Sequence, residues 1–196
     1  MKFKIVSLFL LFSFFMNAQT SKFSVEAAYP LPIDQNFLGD HFKGIADLGI
    51  KYRIKNLQII NIGVSVNGSM FTYNGSGYFP AVDENLSFKT TLIMVQPRFY
   101  GEINLKKIIK IHPSAAIGYS LLLVNRKFDS QSGVPNDKTT ESGVNFTIGC
   151  SYDILPKLYL FANYDYIVLT NLASGIPSDT YNTKANLLKL GLGIRL

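Results

Sequence analysis

Residues Leu187–Leu196 read LLKLGLGIRL, and their parity decides the fold. Leu188, Leu190, Leu192, Ile194 and Leu196 take the even positions, while Lys189, Gly191, Gly193 and Arg195 are odd. Side chains alternate across a strand with period two, so one face is a continuous apolar stripe and the other is small or cationic. Helical winding would scatter Lys189 and Arg195 among the leucines. The segment is a strand with one face oily enough for lipid and one able to hold charge.

The same alternation recurs upstream. Phe23, Val25, Ala27 and Tyr29 alternate with Ser24, Glu26 and Ala28 in a first strand, which Pro30 and Pro32 are expected to break. A polar connection then runs to His41. In the second strand Ala46, Leu48, Ile50, Tyr52 and Ile54 oppose Asp47, Gly49, Lys51 and Arg53. Only Lys55 to Gln58 separate it from the third, where Ile60, Ile62, Val64, Val66 and Met70 oppose Asn61, Gly63, Ser65, Asn67 and Ser69. A connection so short makes the two strands antiparallel neighbours.

A long Gly/Asn/Pro-rich connection is expected over 72–88. The fourth strand sets Thr91, Ile93, Val95, Phe99 and Ile103 against Gln96, Arg98, Tyr100 and Glu102, with a bulge expected at Pro97. Past a basic turn at Lys106-Lys107, Ala115, Ile117, Tyr119, Leu121 and Leu123 oppose His112, Ser114, Ala116, Gly118 and Ser120. After a second long connection, over 125–143, Val144, Phe146, Ile148, Cys150, Tyr152 and Ile154 oppose Asn145, Thr147, Gly149, Ser151 and Asp153. The short turn Leu155-Pro156-Lys157 leads to Leu158, Leu160, Ala162, Tyr164, Tyr166 and Val168, opposite Tyr159, Asn163 and Asp165. A last long connection over 171–182 precedes the opening stretch. The result is eight strands with connections alternating long and short. An up-and-down transmembrane barrel has that rhythm, with an even strand number and both termini periplasmic.

The N-terminus agrees with export. The longest apolar run, Ile5 to Met16, follows Lys2 and Lys4 and ends at Asn17-Ala18-Gln19. It is too short for a membrane helix, which needs roughly 20 apolar residues, and has the three regions of a secretory signal cleaved after Ala18. The barrel then occupies residues 19–196. No cysteine follows the apolar run to carry a lipid anchor, and Cys150 stands alone, so no internal disulfide is expected. Loss of Lys2 and Lys4 lowers the formal charge from +6 to +4. The basic residues are scattered, without the runs that nucleic-acid binding requires.

With the signal ending Ala18-Gln19, the strand rhythm and the closing Gly191-Leu192-Gly193-Ile194-Arg195-Leu196, the whole mature chain resembles the small eight-stranded outer-membrane barrels of the OmpA/OmpX type. It is most similar to the porin-like β-barrel proteins common in Bacteroidetes, although Leu196 stands where that family usually ends in an aromatic residue. The resemblance implies an all-β, eight-stranded antiparallel up-and-down barrel in the bacterial outer membrane. It further implies an assembly machinery and outer-membrane lipids, lipopolysaccharide included, as partners, with a monomeric barrel meeting an unidentified external ligand.

Which face is wet separates a membrane barrel from a soluble one. Asp47, Lys51, Arg53, Arg98, Glu102, Asp153, Asp165, Lys189 and Arg195 share a face with Gly, Ser and Asn, so the charged side is the lumen. Eight strands leave room only for side chains, and charge there must be paired. An ionic plug is therefore expected in the lower half, where Lys51, Arg53, Arg98, Glu102, Asp153 and Arg195 fall together with His112 and Tyr159. Toward the outer mouth Phe71, Leu92, Met94, Leu122, Val124, Ile167, Leu169 and Leu187 are inward by parity yet apolar. They form either a hydrophobic cap over the plug or a pocket for an apolar ligand such as an acyl chain. A narrow channel is a further alternative.

Chemistry is sparse. Asp40-His41 lies in the first external loop, with Ser69 and Ser76 as candidate nucleophiles, a distant analogy to outer-membrane lipid A palmitoyltransferases. His112-Pro113-Ser114 has the His-x-Ser of lipid A deacylases, but His112 points inward on the periplasmic side, away from an outer-leaflet substrate. Neither makes a triad by spacing alone. No metal signature or cofactor motif is present. The acidic residues Asp34, Asp40, Asp83, Glu84, Asp129, Asp137 and Asp179 suit solvated loops, and Gly75-Ser76-Gly77 a turn. Tyr29, Tyr52, Tyr119, Tyr152 and Tyr164 suit an interfacial girdle. The expectation is a structural or binding barrel rather than an enzyme.

Overall fold

The computed structural model describes residues 22–79, 83–104, 110–128 and 134–196. The signal-like segment, the Lys106-Lys107 turn and Asp129 lie outside the described residues. The strands are β1 (Phe23–Ile33), β2 (Lys43–Leu57), β3 (Ile60–Phe79), β4 (Glu84–Ile103), β5 (Ile111–Phe128), β6 (Asp137–Asp153), β7 (Leu158–Asn171) and β8 (Lys184–Arg195). Two short helices, α1 (Phe37–His41) and α2 (Thr180–Thr183), sit in external connections and are N-capped by Asn36 and Asp179.

Each strand pairs antiparallel with its sequence neighbours, and the sheet closes into a barrel. The closing seam runs from Ser24 opposite Arg195 to Ile33 opposite Asn186. Closure satisfies the backbone groups that an open edge would leave bare in lipid. Parity sorts the side chains: Leu48, Ile50, Phe99, Ile117, Ile148, Leu190 and Leu192 are exposed outside, while Glu26, Asp47, Gln96, Arg98, Asp165 and Lys189 are buried inside. This is the inverse of a soluble barrel. Cys150 lies on the outer face and is exposed.

The prolines of β1 do not break it. The Lys22 carbonyl accepts from the Arg53 N–H at 2.8 Å and the Phe23 carbonyl from the Leu196 N–H at 3.0 Å, so even-numbered β1 residues turn their backbone groups toward β2. Pro30 and Pro32 thus lack their N–H on the β2 side, where the β1–β2 ladder stops at Ala28 opposite Asp47. On the other side the β8 ladder continues past Pro30 and Pro32 to Ile33. Gly44 fills the seam: a Cβ there would stand 1.6 Å from the Pro30 carbonyl oxygen.

Pro97 produces no bulge either. The β4–β5 ladder keeps one register on both sides of it, Val95 opposite Leu121 and Arg98 opposite Gly118, and pairing is merely skipped between. Register shifts occur instead in β2, between Gly44 and Ala46 and between Arg53 and Lys55, and in β6 between Ser142 and Gly143.

The two long connections of the middle hairpins are also shorter than expected. β3 continues to Phe79 and β4 begins at Glu84, so Gly75-Ser76-Gly77 is strand and not turn. β5 likewise runs to Phe128 and β6 starts at Asp137. Polar, Gly-rich sequence here is strand that has left the membrane and no longer needs an apolar outer face. The outward apolar stretches are Ile60–Met70, Ile93–Ile103 and Val144–Ile154. At about 3.3 Å per residue and a tilt near 40°, each rises roughly 25 Å, the height of a barrel's lipid band. The remainder of β3–β6 projects beyond that band. Tyr119 belongs to this geometry: it is exposed in the middle of β5 rather than at a strand end, and its hydroxyl donates to Ser142 Oγ at 2.8 Å.

Candidate functional site in the lumen

The lumen is filled in three tiers. At mid-height Lys189 reaches in from β8, fully buried, and its Nζ meets Asp47 Oδ2 at 2.7 Å, Gln96 Oε1 at 2.8 Å and Asp165 Oδ2 at 3.1 Å. Three acceptors serve the three protons of one ammonium. Arg98 Nη2 lies 2.9 Å from Asp165 Oδ2 and donates also to Gln96 Oε1. The carboxylates are completed by hydroxyl and amide donors: Ser69 to Asp47 at 2.5 Å, Asn67 to Asp47 at 3.1 Å and Thr147 to Asp165 at 2.8 Å. Ser120 accepts from Gln96 at 3.1 Å and Asn145 at 3.0 Å. Two cations face two anions, so the tier is neutral, and every strand except β1 contributes to it.

The periplasmic tier is a looser set of pairs. Glu26 Oε1 accepts from Lys51 Nζ at 2.7 Å and from the Tyr159 hydroxyl at 2.8 Å. Arg195 Nη1 sits 2.6 Å from Asp153 Oδ1, and His112 Nε2 lies 3.1 Å from Asp153 Oδ2. The Arg195 guanidinium stacks 4.4 Å from the centroid of Tyr159. That packing depends on Gly193, where a Cβ would fall 2.1 Å from the tyrosine ring. Asn61 donates to Glu102 at 3.3 Å, and with Arg53 and Tyr100 these residues line a small, partly open cavity at the lower mouth.

The outer tier is apolar and closed. Phe71, Leu92, Met94, Leu122, Ile167 and Leu187 are fully buried, Leu169 is nearly so, and Val124 packs against them. Leu38 of α1 drops into the same cluster, itself fully buried. The helix is held there by Asn36, whose Oδ1 accepts the Leu38 and Gly39 N–H groups at 3.0 and 2.9 Å.

Parity thus places all nine charged residues in the lumen, but not in one lower-half plug. Asp47, Arg98, Asp165 and Lys189 form the mid-height network, while Lys51, Arg53, Glu102, Asp153 and Arg195 line the periplasmic end. Arg98 is drawn from its expected lower group because its long side chain reaches across to Asp165 on β7. The sequence reading omits Glu26, although it shares the inward face of β1 with Ser24; a lone acid on a short strand gives no cluster to notice. It also passes over Gln96, the neutral hub, and Leu38, which lies in a connection without strand parity. The eight apolar residues lie together, packed on one another and on Leu38.

No catalytic group assembles around either histidine among the described residues. His41 Nε2 lies 3.3 Å from the Tyr181 hydroxyl and its ring 5.0 Å from that of Tyr73. Desolvation, then the hydrogen bond with Asp40, raises the Tyr181 hydroxyl above its ordinary pKa. Ser69, one candidate nucleophile, is inside the barrel bonded to Asp47, and Ser76 is exposed on β3.

A closed antiparallel barrel with an apolar outside and a charged, filled inside is an integral outer-membrane barrel. The chain belongs to the outer membrane protein beta-barrel domain family, which residues 7–195 match. Its place is the bacterial outer membrane. Among solved structures it is similar to a major outer membrane protein from Thermus thermophilus, at 12% identity and a TM-score of 0.58 over 91% of this chain and 100% of that one. It is similar also to Ail, the attachment invasion locus protein of Yersinia pestis, at 15% identity and a TM-score of 0.57 over 90% of this chain and 97% of that one. Neisserial surface protein A gives 17% identity and a TM-score of 0.54 over 91% and 100%. At these identities the likeness is one of fold. No curated protein matches the chain closely enough to serve as a relative.

Proposed function

We propose that this barrel is a sealed anchor, holding an external sheet and loops outside the cell for a structural or binding task, and is neither a pore nor an enzyme. One observation carries the reading: the lumen is filled from the periplasmic pairs through the neutral Lys189 network to the cap under Leu38. An ion crossing it would have to displace buried charge that is already paired, which is costly in a low-dielectric interior. The external ends of β3–β6, by contrast, offer a rigid platform, and loops on rigid platforms are where binding residues concentrate. The cap leaves an acyl chain no entry unless Leu38 withdraws. The sequence ending Ala18-Gln19 supports a cleaved signal, and with the closing strand it supports kinship with the porin-like barrels of Bacteroidetes.

Planar-bilayer recording tests this. Folded protein, verified in the same preparation by its SDS resistance, is expected to give a silent membrane. Reproducible single-channel steps would overturn the sealed-anchor reading.

A further inference from the structure

Among the buried acids of the described residues, Glu141 alone has no cation. Glu26 holds Lys51, Asp47 and Asp165 share Lys189, and Arg98 completes Asp165. Glu141 is 6% exposed and makes no ion pair and no side-chain hydrogen bond with a described residue. Its place explains this. Glu141 stands directly opposite Leu122, so its side chain points inward at the level of the outer apolar tier. The next residue, Ser142, faces Asn171, which brings Glu141 level with Leu172, another side chain packed on the cap. The lipid-facing stretch of β6 begins only at Val144, so Glu141 lies above the band.

The elements around it offer no counter-charge. On β5 the next inward cation is Arg126, beyond Val124, and its guanidinium lies over the Phe88 ring. On β6 itself Asp137 and Lys138 are exposed at the outer end. On α1, Asp40 and His41 are both turned to Tyr181. Asp34, ahead of α1, accepts from Asn186, and Asp179 caps α2. Lys184, at the start of β8, is exposed, while Asp165 and Lys189 are engaged with each other at mid-height. Burial therefore acts on the Glu141 carboxyl unopposed and pushes it above the usual carboxylate range.

From this placement we infer that Glu141 makes α1 a proton-dependent lid, with the carboxyl neutral while Leu38 is seated and ionised once the helix lifts and water reaches the outer tier. A carboxylate enclosed by apolar side chains needs a partner or water. The closed cap supplies neither, so closure and protonation go together. Linkage sets the direction. The seated state holds the proton more tightly than the open one, so closure has its full stability below the ordinary glutamate pKa of about 4.3. That stability is lost as the pH rises through the raised value. Within this window each pH unit multiplies the ratio of open to seated lid by up to about tenfold. Acid locks the lid, and a rising pH loosens it. The outer apolar tier becomes more accessible from outside as Glu141 ionises, a regulation that the sealed anchor by itself does not require.

The test is amide hydrogen exchange of the folded protein in detergent micelles, followed from about pH 5 to about pH 8. The reporters are the Leu38 and Gly39 amides, which donate to Asn36, and the Phe42 amide, which donates to the Leu38 carbonyl. Exchange accelerates with pH in any peptide, so the readout is protection relative to unstructured chain. Wild-type protection at these amides should fall as the pH rises, while that of β8 amides such as Leu190 stays level. Glu141→Gln and Glu141→Leu are neutral at every pH and should hold the reporters at constant protection. Using both guards against a poor fit of either side chain, and the β8 amides show that the barrel is folded. His41→Gln should keep the wild-type slope. Flat protection in the wild type overturns the lid. So does a slope that survives in both Glu141 variants, or one that vanishes in His41→Gln, which would assign it to the imidazole.

Discussion

Lys189→Met is expected to cost about 3–5 kcal/mol of barrel stability, the range for removing one partner of a buried ion pair. Methionine fills much of the lysine volume, so the loss is electrostatic. The Asp47 carboxylate would keep Ser69 and Asn67 but have no cation, in a site with no solvent access. Asp165 would still hold Arg98 at 2.9 Å. The tier would pass from neutral to one uncompensated negative charge. Restoring neutrality should restore most of the stability, so Lys189→Met/Asp47→Asn is expected to unfold close to wild type. Urea titration of both variants in vesicles checks this. Equal destabilisation of the single and double variants would mean that the network acts through shape and not through charge.

The second large effect concerns the cap. Leu38→Ala removes a fully buried side chain from a cluster of Phe71, Leu92, Met94, Leu122, Ile167 and Leu187, a change that costs about 2–5 kcal/mol where the surroundings cannot collapse. Here the element is a helix of five residues, whose contacts outside the cap run through His41 to Tyr73 and Tyr181. It can leave locally without unzipping the barrel, so the cost should appear as local opening. Protease added to intact cells should cut the variant quickly between Asp34 and Phe42, while its SDS-resistant band survives at nearly the wild-type temperature. A variant as resistant to cutting as wild type would show that α1 is held by something other than Leu38.

Much of this is legible from period alone. Strand number, closure and the inward set follow from alternation, because lipid demands an apolar outer face at every second residue of the spanning segment. Alternation loses force where lipid ends, which is why 72–79, 84–88 and 137–143 read as connections although they are strand. The prolines mislead for another reason. Pro30 and Pro32 are harmful only if their missing N–H is needed, and sequence does not say which side of β1 lacks a ladder. Partners in the lumen are the least legible: parity brings Lys189, Asp47 and Asp165 to one interior, but side-chain reach decides that Gln96 joins them and that Arg98 leaves its lower neighbours. Leu38 escapes notice because a five-residue helix has too few turns to show a period.

The central claim is that β8 closes on β1 to seal a filled barrel in the outer membrane, and gel mobility with external proteolysis tests it most directly. Outer-membrane fractions are run in SDS boiled and unboiled, after protease treatment of intact cells. A cyclic ladder has no free edge from which detergent can unzip it, so the unboiled protein should run as a compact band that boiling shifts. Cuts should fall only on the external side of the band, between β1 and β2, β3 and β4, β5 and β6, and β7 and β8. A band that boiling does not move, or cutting of intact cells in the Leu155-Pro156-Lys157 turn, would contradict the closed barrel or its orientation.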